Sequence, residues 1–228
     1  MAKKKKLKEL VIKKLNQTVM ITNGEITATQ RKAYNVLLHK AQQALRLNNN
    51  QMTFLIPITE VETKAGVQNT NNKRLKEDLK ALMKITVSCI HERGSWTEFV
   101  LISQVKKEGD LLQFEFPSMI REALIKDDYY TTLDLMILKT LSGKYAIILY
   151  ELAMRYHKVE IPKLTIEEFR ALTGTESYQD FRDIRKKCIE PGLSEINEKS
   201  DIIMDYTPIM VGRKVVAIKF NVVQKPQF

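Results

Sequence analysis

Three histidines and two cysteines are all that the 228 residues offer to soft-metal or thiol chemistry, and neither set is grouped. His39, His91 and His157 stand singly. A tyrosine nucleophile that nicks DNA needs a metal held by clustered histidines, so Tyr129 and Tyr130 gain no support for that role. Cys89 and Cys188 lack the paired spacing of a zinc or redox site, and both lie in apolar patterns, so buried thiols are expected. Asp127, Asp128 and Asp134 match no divalent-cation motif and read as a solvated linker. Gly143-Lys144 lacks the preceding glycine and the following Ser or Thr of a phosphate loop, which argues against ATP. No apolar run approaches the roughly 18 residues that span a bilayer. No hydrophobic segment follows the initial lysines, so a secretory signal is not expected and a cytoplasmic protein is. Neither an enzyme nor a cofactor is indicated.

What the chain does have is positive charge, formally +10. Such an excess suits a polyanionic partner. It is unevenly spread: residues 1–125 hold 21 Lys and Arg against 12 Asp and Glu, and the remainder hold 16 against 15. Lys3 to Lys6, Lys8, Lys13 and Lys14 form a basic arm opposed only by Glu9, which reads equally well as a solvated tail or as an arm on phosphate.

Residues 11–22 have strand-like content, and Asn23-Gly24 marks a turn. Helical spacing through Ala33, Val36, Leu37, Ala41, Ala44 and Leu45 predicts a helix over 27–47, ended by three asparagines. Phe54 to Ile58 is short and apolar. Thr59 with Glu62 predicts a capping box, and Gly66 closes that helix. After a turn at 69–72, a basic helix over 73–83 buries Leu75, Leu79, Leu82 and Met83 and turns Lys73, Glu77, Lys80 and Lys84 outward. Strands are expected at 85–89, at 99–105 and around Leu112, Phe114 and Phe116, with turns at Gly94 and Gly109. Trp96 is expected to pack in the first hairpin. A short helix over 117–124 closes the half.

The second half repeats the order. Residues 127–141 read as extended, and 145–156 as a strongly apolar central helix. Thr165 with Glu168 forms a capping box closed by Gly174. A basic helix capped by Ser177 is interrupted at Pro191, and a hairpin over 202–223 turns at Gly212-Arg213-Lys214. The two capping threonines recur with a spacing that fits a duplicated unit of about 100 residues. Helix, helix, basic helix and hairpin is the layout of a helix-turn-helix with a wing. The expected class is α+β, with a basic arm and extended segment at 1–24 and two tandem winged-helix domains at 25–126 and 127–228.

A groove-reading helix needs long donors on its outer face. Arg182 and Lys186 share one stripe with Gln179 and Asp183, and Arg185 flanks it. Arg can grip guanine with two bonds, Gln can read adenine, and Asp183 can accept from cytosine or orient its basic neighbours. The same pattern also fits a solvated amphipathic helix with incidental pairs. Arg213 and Lys214 at the hairpin tip suit backbone contact, as does Arg93 in the first half.

The run LSGKYAIILYELAMRY over 141–156, then 164–173, then Tyr178, Phe181, Pro191 and Glu195-Ile196-Asn197 resembles the iteron-binding replication initiators of theta-replicating bacterial plasmids. Phe54 to Gly66 and Arg74 to Val87 agree, with Trp96 leading into the next strand, and the resemblance covers roughly residues 25–225. It implies two winged-helix domains, the second making the main contacts to tandem origin repeats and the first adding contacts and a dimer interface. It implies dimers that repress their own gene at an operator inverted repeat, in equilibrium with monomers that open origin DNA. It implies host initiator, replicative helicase and chaperones as partners. By position, the contacts would lie among Tyr178, Gln179, Arg182, Arg185 and Lys186 in the second domain. In the first they would lie among Lys73, Arg74, Lys80 and Lys84. The near-neutral second half departs from the family pattern. A winged-helix repressor without a replication role, or a rolling-circle nickase, are the competing readings.

Overall fold

Helix α1 (Ala28–Leu47) begins where Thr27 closes its first turn. The Thr27 hydroxyl accepts from the Gln30 N–H at 3.2 Å, and the Gln30 carboxamide accepts from the Thr27 N–H at 3.0 Å. This reciprocal box satisfies two donors that a helix start otherwise leaves open. The apolar stripe read from the sequence is only part of what α1 buries: Tyr34, Asn35, Leu38 and His39 are covered as well. A helix buried nearly all round must be central to its core.

The computed structural model describes residues 11–15, 26–66, 72–90, 95–126, 130–157 and 159–226. Asn23-Gly24, Lys3 to Lys6, Lys8, His91, Arg93, Gly94, Asp127, Asp128 and Tyr129 lie outside them. The described residues divide into two compact units, one up to residue 139 and the other from 140 onward.

In the first unit β1 (Val11–Leu15) leads to α1, then β2 (Thr53–Pro57), α2 (Ile58–Ala65), α3 (Asn72–Met83), β3 (Thr86–Ile90), β4 (Trp96–Val100), β5 (Gln104–Glu108), β6 (Leu111–Glu115), α4 (Ser118–Ile125), β7 (Tyr130–Asp134) and α5 (Leu135–Thr140). Strands β2, β6 and β5 form one antiparallel sheet in that order, β3 pairs β4, and β1 pairs β7. Phe54 sits opposite Phe114 with ring centroids 5.5 Å apart, and Phe116 stands edge-on to Tyr34 at 5.9 Å. These rings tie the sheet to α1.

Several expectations need correction here. The box at Thr59 and Glu62 does not form: α2 starts at Ile58 with Pro57 as its N-cap and no side-chain cap bond. Strand β2 runs directly into the helix, because Pro57 pairs with Leu111 and the Ile58 N–H bonds to the Asp110 carbonyl at 2.9 Å. The strand expected at 99–105 is two strands. The Leu101 N–H bonds back to Ile85 and the Ser103 N–H bonds to Glu115, so the buried pair Leu101 and Ile102 carries the chain from one sheet to the other. Trp96 is 67% exposed, since it lies on the face of β4 opposite the one that buries Phe99. Residues 130–140 are not extended throughout. The Asp134 carboxylate accepts from the Met136 N–H at 2.7 Å and starts α5. Because β7 pairs with β1, this segment folds with the first compact unit. Lys14 belongs to β1, is buried, and holds its ammonium 5.6 Å from the Tyr34 ring centroid, so it is no part of a solvated arm.

The second unit is built on α6 (Lys144–Arg155), whose residues Ala146 to Ala153 are all buried. Then come β8 (Leu164–Thr165), α7 (Ile166–Thr173), α8 (Phe181–Ile184), a wider π-turn (Arg185–Ile189), α9 (Glu190–Lys199), β9 (Ile202–Val211) and β10 (Lys214–Gln224). Strands β8, β10 and β9 form an antiparallel sheet in that order. The box at Thr165 and Glu168 forms, and Gly174 ends α7 in the left-handed region at φ 66°. Ser177 is not the cap of the next helix. Asp180 is, accepting the Arg182 N–H at 2.8 Å, because Arg170 holds the intervening turn by donating to the carbonyls of Tyr178 and Gln179. Pro191 does not interrupt the helix either. The π-turn precedes it, the Glu190 N–H reaches the Arg185 carbonyl, and the axis continues into α9. A wider turn absorbs the ring that would clash with the carbonyl four residues back.

Candidate nucleic-acid interface

The Glu195-Ile196-Asn197 segment shows how the second unit holds its basic helix. Glu195 accepts from the Ser142 N–H and hydroxyl, both at 2.7 Å, from the Gly143 N–H at 2.8 Å and from the Lys199 ammonium at 2.9 Å. Burial pushes its carboxyl up, but the Ser142 N–H and hydroxyl, the Lys199 ammonium and the Gly143 N–H outweigh it and bring it down to about 2. Ile196 is fully buried. Asn197 donates to the Met204 carbonyl at 3.0 Å and accepts its N–H at 2.7 Å, fixing where β9 leaves α9. Gly192 lets α9 approach α6: a Cβ there would meet Leu149 Cδ1 at 3.0 Å and backbone atoms of Ala146 and Tyr145 at 3.3 Å. The apolar face of α8 and the π-turn, Ile184, Cys188 and Ile189, is fully buried, and burial raises the Cys188 thiol.

The opposite face borders a cleft of about 830 Å³ between this helix and the hairpin. Five cations line it: Arg170, Arg182, Arg185, Arg213 and Lys214. Its two carboxylates are already engaged, Asp180 as the helix cap and Glu167 at 3.9 Å from Arg170. Arg185 Nε is shielded and lacks a hydrogen-bond partner among the described residues, with Glu190 3.5 Å away. The cleft therefore offers several guanidinium forks to an anion.

The sequence-predicted residues divide accordingly. Gln179, Arg182, Arg185, Arg213 and Lys214 come together in the cleft. Lys186 is exposed on the π-turn outside its lining, and Tyr178 lies under the Lys187 ammonium, 4.8 Å from its ring centroid, while Lys187 pairs with Asp183 at 3.4 Å. Gln179 precedes the helix instead of riding on it. Arg170 was missed, although its place four residues ahead of the helix-closing Gly174 was visible.

In the first unit Lys73, Arg74, Lys80 and Lys84 are all exposed on or just beyond α3. A groove of about 750 Å³ runs between α3 and the β5–β6 hairpin, with Leu75, Leu79, Val105 and Leu112 along it and Lys73, Lys76, Lys80 and Lys107 as its cations. Arg74 and Lys84 lie outside that lining. Lys76 was legible at helical spacing with Lys73 and Lys80, whereas Lys107 arrives from the hairpin. Among the described residues no helix is long and apolar enough to cross a membrane.

Comparison with known proteins agrees with this architecture. No curated protein matches the chain by sequence. Among solved structures, the Pi initiator protein in complex with iteron DNA superimposes with a TM-score of 0.72 at 17% identity, covering 96% of this chain and 99% of that one. Domains 2 and 3 of RctB superimpose with a TM-score of 0.56 at 12% identity, covering 87% and 82%. At such identities the likeness concerns the fold. Residues 11–154 match the family described as initiator replication protein, WH1, and residues 165–222 match initiator Rep protein, WH2. With both matches in chain order, this protein belongs to the initiator Rep protein family, built on two tandem winged-helix domains.

Proposed function

We propose that the protein initiates plasmid replication by binding tandem double-stranded repeats at an origin, opening adjacent DNA and recruiting the replicative helicase. The observation that carries this reading is the cationic cleft between the second unit's basic helix and its hairpin. Support also comes from the similar Pi initiator, which is described in complex with iteron DNA. In this reading Arg182 and Lys186 meet base edges in the major groove, Gln179 reads at the helix start, and Arg185, Arg213 and Lys214 engage phosphates. Tyr178 positions Lys187 and the turn before the helix. The first unit adds Lys73, Arg74, Lys80 and Lys84 to the phosphate contacts and provides a dimer interface. Dimers repress the protein's own gene at an inverted repeat and exchange with monomers that act at the origin. Host initiator and chaperones complete the partner set, in the cytoplasm, and the protein acts by binding, without catalysis or cofactor.

The test is binding to duplexes that the protein itself selects from a random library. Arg182→Ala and Lys186→Ala should each cost about 1 to 3 kcal/mol on the selected sequence and relax preference at one position. Unchanged affinity and preference in both variants would sink the reading of this helix. A reporter plasmid that carries the neighbouring origin separates initiation from repression alone, since only an initiator is required for its replication.

A further inference from the structure

The hairpin of the second unit reaches well past its core. Ala217, opposite Ile209, is the last residue of β10 that pairs with β8, so Met210 and Val211 of β9 precede the turn beyond the three-stranded sheet. At about 3.3 Å per residue that is an overhang of about 7 Å before the turn, comparable to a minor groove about 7.5 Å deep. The overhang is apolar at its end: Met210 is 49% exposed and Val211 67%. Gly212, at φ 61°, makes the turn, and Val211 and Lys214 sit opposite one another across it. From Tyr206 to Phe228 the chain contains no Asp or Glu, while Arg213 and Lys214 occupy the tip and form no ion pair among the described residues.

Exposed aliphatic side chains beside paired cations ask for a partner that is anionic outside and apolar within. Two side chains fall far short of the ~1,000 Å² that a stable protein interface buries. They are sufficient for a wedge between base pairs, which a minor-groove protein inserts as one or two residues. Building on the duplex-DNA reading above, we infer that Met210 and Val211 form an apolar wedge that enters the minor groove beside the reading helix and unstacks one base step. Arg213 and Lys214 hold the flanking phosphates while it does so. The unit thereby distorts the DNA it selects, and the distortion resides in side chains separate from those that read sequence.

The experiment places 2-aminopurine at successive steps of the self-selected duplex and follows its fluorescence, with anisotropy measured in parallel. Wild-type protein should raise the signal several-fold at one step beside the reading-helix site, as unstacking does. The M210S/V211S double variant should bind within about tenfold of wild type with an unchanged salt slope, yet leave the signal at the free-duplex level. Arg213→Ala should do the converse, lowering the salt slope by about one and keeping the signal at saturation. Because both apolar residues are exposed, the double variant should melt with the wild type. Bound wild type with no enhanced step, or a double variant that keeps the enhancement, overturns the wedge while leaving the DNA-binding reading intact. A change in self-association with no change in fluorescence also overturns it, assigning the tip to a protein contact. Absence of wild-type anisotropy change would overturn the wedge and the parent reading together.

Discussion

The two winged-helix units share an element order but secure their basic helices by different means. In the first, α3 is held from its own buried side: Leu75, Leu79 and Leu82 pack inward, and Asp78 accepts from the Gln30 carboxamide of α1 at 3.0 Å. In the second, the buried face of Ile184, Cys188 and Ile189 is joined by fastenings beyond the helix's far end, where Glu195 binds Ser142 and Gly143 ahead of α6, Gly192 permits close approach and Asn197 clasps β9. The hairpins differ too, five residues per strand in β5 and β6 against ten and eleven in β9 and β10. One layout thus tolerates two sets of fastenings, because a winged helix asks only that one helix face stay free and that a hairpin stand beside it.

That contrast can be broken deliberately, with peptide-resolved hydrogen exchange reporting each unit separately. The largest effect is expected from Gly192→Val, where two of the three blocking atoms are backbone of α6 and cannot rotate away. The second unit should lose about 3 kcal/mol, the upper end for overpacking, with exchange in the first unit unchanged. Equal loss of protection in both would refute separate fastening.

Next comes Glu195→Gln, expected to cost about 2 kcal/mol as a charged acceptor becomes neutral. Its pH signature has a definite sign. The folded carboxyl titrates at about 2, below its ordinary value of 4.5, so its stabilisation is complete above 4.5 and is lost as the pH falls toward 2. Wild type should weaken in the second unit across that window, whereas the variant should show a shallower slope there. Parallel slopes would remove Glu195 from the account.

A smaller difference separates the two threonines that look alike in the sequence. Thr165→Ala should cost about 1 kcal/mol, since it deletes a working capping box. Thr59→Ala should change stability by less than about 0.5 kcal/mol, as Pro57 holds the cap position there. Denaturant melts of the pair, compared at matched conditions, decide it.

These threonines also mark how far the sequence could be read. Both carry the Thr-x-x-Glu pattern, and only one forms the box, because the pairing of the preceding strand sets where each helix begins, at Ile58 ahead of Thr59 but at Ile166 just after Thr165. The cation stripe of the second basic helix was legible from spacing, yet its members split: Arg182 and Arg185 face the cleft, and Lys186 does not line it. The π-turn rotates the faces after Ile184, and no 100° periodicity contains it. Glu195 and Asn197 stood out as a segment, but their task is structural, in bonds to residues 53 positions away or across a strand junction.

Local chemistry decided by itself the helices with strong apolar periodicity, the glycine stops at Gly66 and Gly174, the hairpin turn at Gly212 and the charge that calls for a polyanion. Each depends on residues within a turn or two of one another, where side-chain shape and backbone preference act directly. Tertiary structure alone decided that β7 pairs β1, that Lys14 is buried, that Pro191 rides in an unbroken helix and that five cations converge on one cleft. Those outcomes join segments far apart in the chain, and their free energy exists only once the chain has folded to bring them into contact.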